Sequence, residues 1–357
     1  MNGLDRRPFE GRAARSPSGR RLNDRKETAL HILVLGAAGM VGRKLVERLT
    51  KDGRLGKTDI KSMTLQDVVA PTAPSGSGIA FKTVTGDVAD QATVVKLVAE
   101  KPDVIFHLAA IVSGEAEADF DKGYRINLDG TRYLIDAIRA IGGGYKPRLV
   151  FTSSIAVFGA PLPERIGDEF FSTPLTSYGT QKAIGELLIS DYTRKGLLDG
   201  ISIRLPTICV RPGAPNKAAS GFFSNILREP LAGKEAVLPV SEDVMHWHAS
   251  PRSAVGFLLH AGAMDLSTVG PRRALSMPGL AATVGEQIAA LKRVAGDKVA
   301  ARIKREPDPT IIGIVSGWPR DFATERSRKL GFTTAEKTFD DIIKIHIDDE
   351  LGGNFVN

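Results

Sequence analysis

The sequence predicts an α/β chain in which a doubly wound parallel sheet is followed by a smaller C-terminal lobe. Three observations predict it. A short apolar run ends in a glycine-rich turn and gives way to apolar residues at helical spacing; short apolar runs and helical stretches then alternate as far as Leu205; and prolines interrupt that alternation from Pro206 onward.

The first run is His31–Leu35, and from Met40 the residues Val41, Leu45, Val46 and Leu49 recur as on one face of a helix. A strand is expected near Ser62–Asp67, another near Ala80–Val84, a helix near Thr93–Glu100 and a strand at Val104–Leu108. A long helical stretch over Tyr124–Ile141 leads through three glycines to a strand at Leu149–Ser153, and a helix at Tyr178–Arg194 precedes the strand Ile201–Leu205. Continuous apolar strands separated by helices are the pattern of a parallel sheet buried on both faces. Beyond Val210 the pattern mixes short strands, loops and helices such as Val284–Ala295, as expected of a lobe over the carboxyl ends of the strands.

The 357 residues, 42% hydrophobic and 25% charged, suit a soluble chain with one main domain and a smaller lobe, and exclude a fibrous or largely disordered protein. Four of the seven net positive charges fall in residues 1–29, a Gly-, Pro-, Ser- and Arg-rich stretch without apolar periodicity. The remainder is nearly neutral, so no nucleic-acid partner is expected. Four acids interrupt this leader, which argues for a disordered extension over a transit peptide. The expected division is therefore 1–29 as a disordered extension, 30–209 as a dinucleotide-binding domain, and 210–357 as mainly a substrate-binding lobe that can interleave with it. No apolar run approaches the ~18 residues needed to cross a bilayer. Cys209 is the sole cysteine, so no internal disulfide or cysteine-based zinc site can form, and a reducing cytoplasm is the expected compartment.

Gly36-Ala-Ala-Gly39-Met40-Val41-Gly42 joins the first strand to its helix. In that position the first glycine permits a tight turn, the second admits a pyrophosphate and the third lets helix and strand pack closely, while free N–H groups at the helix start face the anion. This is the phosphate-binding turn of a Rossmann sheet. Asp67, ending the next strand, stands where a carboxylate would accept hydrogen bonds from an adenosine ribose and repel a 2′-phosphate, so NAD is expected over NADP. Asp87, followed by Val88, is a second candidate at the next strand end, equally well explained as a turn residue.

Tyr178 and Lys182, four residues apart, share one helix face, so the ammonium can act on the phenol and favour phenolate as a base. Ser154, in Phe151-Thr-Ser-Ser154-Ile-Ala-Val-Phe-Gly159, can hydrogen-bond the reacting hydroxyl, with Ser153 the alternative. With these residues the chain resembles the extended short-chain dehydrogenase/reductase family over roughly residues 30–350. The resemblance implies NAD as cofactor, the turn Gly36, Gly39, Met40, Val41 and Gly42 for its pyrophosphate, Tyr178 as acid/base, Lys182 as its modulator and Ser154 as the hydroxyl ligand. It adds Asn127 as the mid-sheet asparagine, Leu108, Ala109 and Ala110 as a strand end passing the cofactor, and Pro206 and Ile208 flanking the carboxamide. It further implies a homodimer.

Ala110–Phe120, which carries Ser113, and Arg211–Gly221 resemble a branch that oxidises the C2 hydroxyl of a short, D-erythronate-like sugar acid to the 2-oxo acid. Ser113, Ser154, Tyr178 and Arg211 are then the expected substrate contacts, with Arg211 taking the carboxylate through two parallel hydrogen bonds. The rivals are a nucleotide-sugar epimerase or dehydratase and a protein that only senses NAD. His246 and His248, two apart on a strand, have no clear third ligand, so no metal site is expected. Arg252 is either a pocket residue or half of a surface ion pair.

Overall fold

The computed structural model describes residues 29–213 and 219–357; all but the last residue of the expected disordered extension lie outside these. The strands in chain order are β1 Leu30–Leu35, β2 Arg54–Leu55, β3 Thr58–Asp67, β4 Ala80–Thr85, β5 Val104–His107, β6 Arg148–Ser154 and β7 Asp199–Leu205, then β8 Thr207–Ile208, β9 Ala236–Leu238, β10 Met245–Ala249, β11 Ala274–Ser276, β12 Leu280–Thr283 and β13 Ile303–Arg305. The helices that matter here are α1 Met40–Asp52, α2 Gln91–Ala99, α3 Ser113–Ala118, α4 Phe120–Gly123, α5 Gly130–Ile141, α6 Ser177–Arg194, α7 Gly221–Leu231, α8 Pro251–Ala263, α9 Val284–Ala295, α10 Asp297–Ala300, α11 Pro309–Ser316, α12 Glu325–Lys329 and α13 Phe339–Glu350.

The main sheet runs β4-β3-β1-β5-β6-β7-β11, every pair parallel, with β2 antiparallel on the start of β3. Strand order reverses on either side of β1, which makes the carboxyl ends of β1 and β5 the topological switch point. One face is covered by α1 and α8 through a core including Leu45, Leu49, Met63, Phe106 and Phe257. The other is covered by α2, α5 and α6 through Leu97, Ile105, Leu134, Leu149 and Phe151. Strands sealed on both faces need apolar side chains, which is why β1 from Ile32 to Leu35 and β5 from Val104 to Phe106 read as hydrophobic runs.

The long helical stretch expected over Tyr124–Ile141 is divided: Tyr124–Asp129 forms a π-turn, and the α-helix proper starts at Gly130. The chain beyond Val210 also does not stay in one unit. Helix α8 returns to the main sheet and β11 extends its edge beside β7. The other C-terminal segments form a second core in which Phe223, Leu227, Leu291 and Ile342 of α7, α9 and α13 pack together. The small sheet β12-β10-β8 joins this lobe to the main sheet, because β8 follows β7 after a single proline.

Candidate active site

The glycine turn forms as its sequence requires. Gly36 adopts φ +88°, and a Cβ there would sit 2.7 Å from the Ala109 nitrogen; a Cβ on Gly42 would fall 2.1 Å from the Gly36 carbonyl oxygen. These two glycines are needed by the protein's own backbone. Gly39 differs: it is exposed, and its added Cβ would meet only one atom, at 3.4 Å. The space above Gly39 is therefore open. Gly39 caps α1 without a side-chain bond, and the first turn holds no acid, so its N–H groups favour an anion such as a pyrophosphate.

Asp67 closes this cradle, its Oδ2 accepting the Ala38 N–H at 2.9 Å while its Oδ1 lies 3.3 Å from the Val69 nitrogen. The carboxylate is thus a ligand of the turn, standing at the end of β3 beside the glycine turn. Asp87 is paired with Arg125 at 2.6 Å and accepts the Ala89 N–H at 2.8 Å. Burial pushes its carboxyl up, but Arg125 and the Ala89 N–H outweigh that and hold it below the usual range. Leu108, Ala109 and Ala110 follow β5 at the switch point, and Leu108 N–H donates to the Leu35 carbonyl at 2.9 Å. Val88 and Ile208 are buried, with their side chains in the core, so each can offer a ligand little more than backbone.

Tyr178 and Lys182 lie on the first turns of α6, whose start is capped by Thr176. The Lys182 ammonium is 5.7 Å from the centre of the Tyr178 ring and 4.7 Å from that of Phe151, and it donates to the Thr152 carbonyl at 2.8 Å. Burial drives the lysine down to about 7, against the opposing pull of Glu186. Burial likewise pushes the Tyr178 phenol up to about 12, although the Ser154 hydroxyl and the Arg211 charge both act the other way. The expected phenolate stabilised by a full ammonium is therefore not the resting arrangement of the chain alone. Both groups are desolvated, and each is driven toward its neutral form.

Of the two serines, Ser154 stands close enough to Tyr178 for its hydroxyl to act on the phenol, whereas Ser153 is buried with its hydroxyl on Glu186 at 2.5 Å. Glu186 also receives Arg204 through two hydrogen bonds, at 2.8 and 2.7 Å. Asn127, turned inward by the π-turn, accepts the Ile111 N–H at 2.9 Å and donates to Gln181 at 2.8 Å. It clamps the loop that leads to Ser113 against α6 and does not itself reach Tyr178. Ser113 opens α3, half-buried.

Arg211 lies beyond β8, with its guanidinium close enough to Tyr178, His246 and His248 for its charge to act on all three. It donates to the carbonyl and hydroxyl of Ser220 at 2.9 and 2.8 Å, its own carbonyl accepts Arg228, and no carboxylate pairs with it among the described residues. Burial pulls the guanidinium down from its ordinary value. Arg252, in contrast, forms an ion pair with Asp349 at 2.5 Å on the surface and takes no part in the cleft. His246 and His248 are buried and neutral, and no cluster of three metal-ligating side chains exists among the described residues. A pocket near Lys57 and His260 opens at the amino ends of β1 and β5, away from the glycine turn at the carboxyl ends.

Sequence reasoning missed Glu186 and Arg204, although Glu186 stands one turn beyond Lys182 and helical spacing could have found it. Thr207, between the two residues assigned to the carboxamide, was also passed over; its hydroxyl was the available signal.

The profile of the NAD dependent epimerase/dehydratase family matches residues 32–248. The chain belongs to the NAD-dependent epimerase/dehydratase family. Among its relatives, D-erythronate dehydrogenase of Cupriavidus necator is 44% identical over 324 residues, covering 90% of this chain and 98% of that one. D-erythronate dehydrogenase of Haemophilus influenzae is 39% identical, covering 90% and 100%. A crystal structure of the nucleoside-diphosphate-sugar epimerase from Agrobacterium tumefaciens superposes with a TM-score of 0.89 at 63% identity, covering 96% of this chain and 99% of that one. Family membership together with the two dehydrogenase relatives makes the chain an NAD-dependent oxidoreductase, and the open space over Gly39 with the bare N–H groups of α1 fits that cofactor. Among the described residues no helix is long and apolar enough to cross a membrane.

Proposed function

We propose that this chain is a dehydrogenase that oxidises the C2 hydroxyl of a short sugar acid of the D-erythronate type to the 2-oxo acid. The observation that carries the reading is Arg211: a half-buried, desolvated guanidinium beside Tyr178 with, among the described residues, no carboxylate to neutralise it. A buried cation without a counter-ion is costly, and a substrate carboxylate would complete it. The names of two relatives that match this chain almost end to end support the same substrate class.

Bound NAD supplies the hydride acceptor. The chain's own groups do the rest. Ser154 holds the C2 hydroxyl, Tyr178 takes its proton as the C–H bond breaks, and Lys182, held on the Thr152 carbonyl, stabilises the phenolate that this step requires. Asp67 holds the ribose end and the turn at Gly36, Gly39 and Gly42 the pyrophosphate. Asn127 acts as a positioning residue through Gln181 and Ile111. The segments after Val210 other than α8 and β11 form the substrate lobe. The reading includes a homodimer, supported by the exposed Phe120 and Leu187 on α4 and α6, two elements that touch each other.

Arg211→Lys tests the carrying observation, because a lysine cannot reproduce the planar two-bond fork. The KM for D-erythronate is expected to rise at least about 10-fold with the melting temperature retained. An unchanged KM with a lowered melting temperature would assign Arg211 to the Ser220 loop alone.

A further inference from the structure

Resting on the sugar-acid reading above, we propose that His246 is a positioning residue that fixes Thr207 as an obligate hydrogen-bond acceptor, and that Thr207 thereby selects a substrate bearing a hydroxyl beyond C2. The argument starts from the two ring nitrogens. His246 Nδ1 lies 2.9 Å from the Pro319 carbonyl oxygen, and a carbonyl can only accept, so Nδ1 carries a proton. The ring is 2% exposed and burial holds its pKa down to about 4, so at neutral pH there is no second proton. Nε2 is therefore an acceptor, and its partner, the Thr207 hydroxyl at 2.7 Å, must be the donor. With its single proton committed, Thr207 offers any ligand lone pairs alone.

The ring has little freedom to change this assignment. It stacks on Phe223 with the planes 3° apart and 5.1 Å between centres, and Trp318 packs 5.2 Å away. Thr207 in turn lies between the two groups to which the sugar-acid reading assigns the substrate, Ser154 and Arg211, along the chain path from β7. Ser154, ending β6, is the register partner of Leu205, ending β7, so Thr207 lies two residues beyond the level of Ser154, about 7 Å further along the chain. It is half-buried, pairs with His248 of the lobe sheet, and precedes Arg211 by four residues.

A four-carbon sugar acid has a carboxylate at C1, the reacting hydroxyl at C2 and further hydroxyls at C3 and C4. Arg211 and the Ser154–Tyr178 pair account for the first two. The remaining hydroxyls are donors, and an acceptor-only oxygen at Thr207 complements one of them. A site built this way rejects an analogue lacking the hydroxyl, since the bound analogue would cover the acceptor and leave it unpaired.

The test compares kcat/KM for D-erythronate with that for 2-hydroxybutyrate of the same C2 configuration, which lacks both distal hydroxyls. Wild-type protein is expected to prefer D-erythronate by about 100-fold or more. Thr207→Val should narrow that ratio at least about 10-fold and Thr207→Ser should keep it. His246→Phe, which keeps the stacked ring but frees the Thr207 proton, should narrow it to a smaller degree. A ratio unchanged in Thr207→Val, a loss expressed only as a raised KM for NAD, or His246→Phe behaving as wild type would each overturn the inference. Oxidation of D-erythronate with an unchanged ratio defeats this inference alone, whereas a wild-type protein that oxidises no sugar acid defeats the sugar-acid reading with it.

Discussion

Tyr178 and Lys182 show what four-residue spacing reveals and what it leaves out. The spacing placed both side chains on one helix face beside Ser154, and the structure brings them together. It could not reveal how little water remains there, and burial, not proximity, sets their resting protonation. Tyr178→Phe removes the proton acceptor while keeping the ring, so kcat is expected to fall at least about 100-fold with NAD affinity little changed; near-normal turnover would remove Tyr178 from the chemistry. Lys182 supports a prediction about stability. Its pKa falls from 10.5 to about 7 on folding, so the unfolded chain binds the extra proton between those values. The stability contributed by this group is therefore complete above about 10.5 and is lost as pH falls toward 7, with no further change below. In melting curves Lys182→Met should gain on wild type as pH drops from 10 to 7, and a pH-independent difference would contradict the assignment.

At the level of elements, the strand–turn–helix unit at Gly36–Gly42 was fully legible, because strand end, glycine spacing and helix start all sit in one short stretch. Its three glycines nevertheless have separable roles. Gly42→Ala drives a methyl into the Gly36 carbonyl, so it should lower the melting temperature and abolish NAD binding together. Gly39→Ala meets only an ordinary contact, so it should leave the melting temperature nearly unchanged and weaken NAD about 10-fold or more. Titration of both variants beside thermal melts separates the two, and equal melting losses would mean that Gly39 is a fold requirement. The π-turn at Tyr124–Asp129 was not legible, since one extra residue per turn leaves the local composition unchanged. What betrays it is the inward side chain of Asn127, bonded across to Ile111 and Gln181.

Across the whole molecule, the sequence pattern divided the chain at the point where regular alternation stops, but α8 and β11 cross back to finish the main sheet. Such returns depend on contacts between residues far apart in sequence; Arg148 of β6, for example, donates to the carbonyls of Ala261, Gly262 and Met264 at the end of α8. Interleaving has a functional consequence. Ser154 ends β6 of the main sheet, whereas Thr207 and Arg211 belong to the chain that continues from β7 through a single proline into β8 of the small sheet, so the junction of the two sheets fixes these three residues relative to one another. The central claim is that this geometry carries out net oxidation of a sugar acid, in contrast to an epimerase, which returns its hydride and leaves NAD unchanged overall. The most direct measurement is absorbance of NADH in a mixture of the purified chain, NAD and D-erythronate, run beside a nucleoside-diphosphate sugar. The account predicts steady NADH formation with D-erythronate, dependent on Tyr178, and none with the nucleotide sugar. Conversion of the nucleotide sugar without NADH, together with no reaction on the sugar acid, would contradict it.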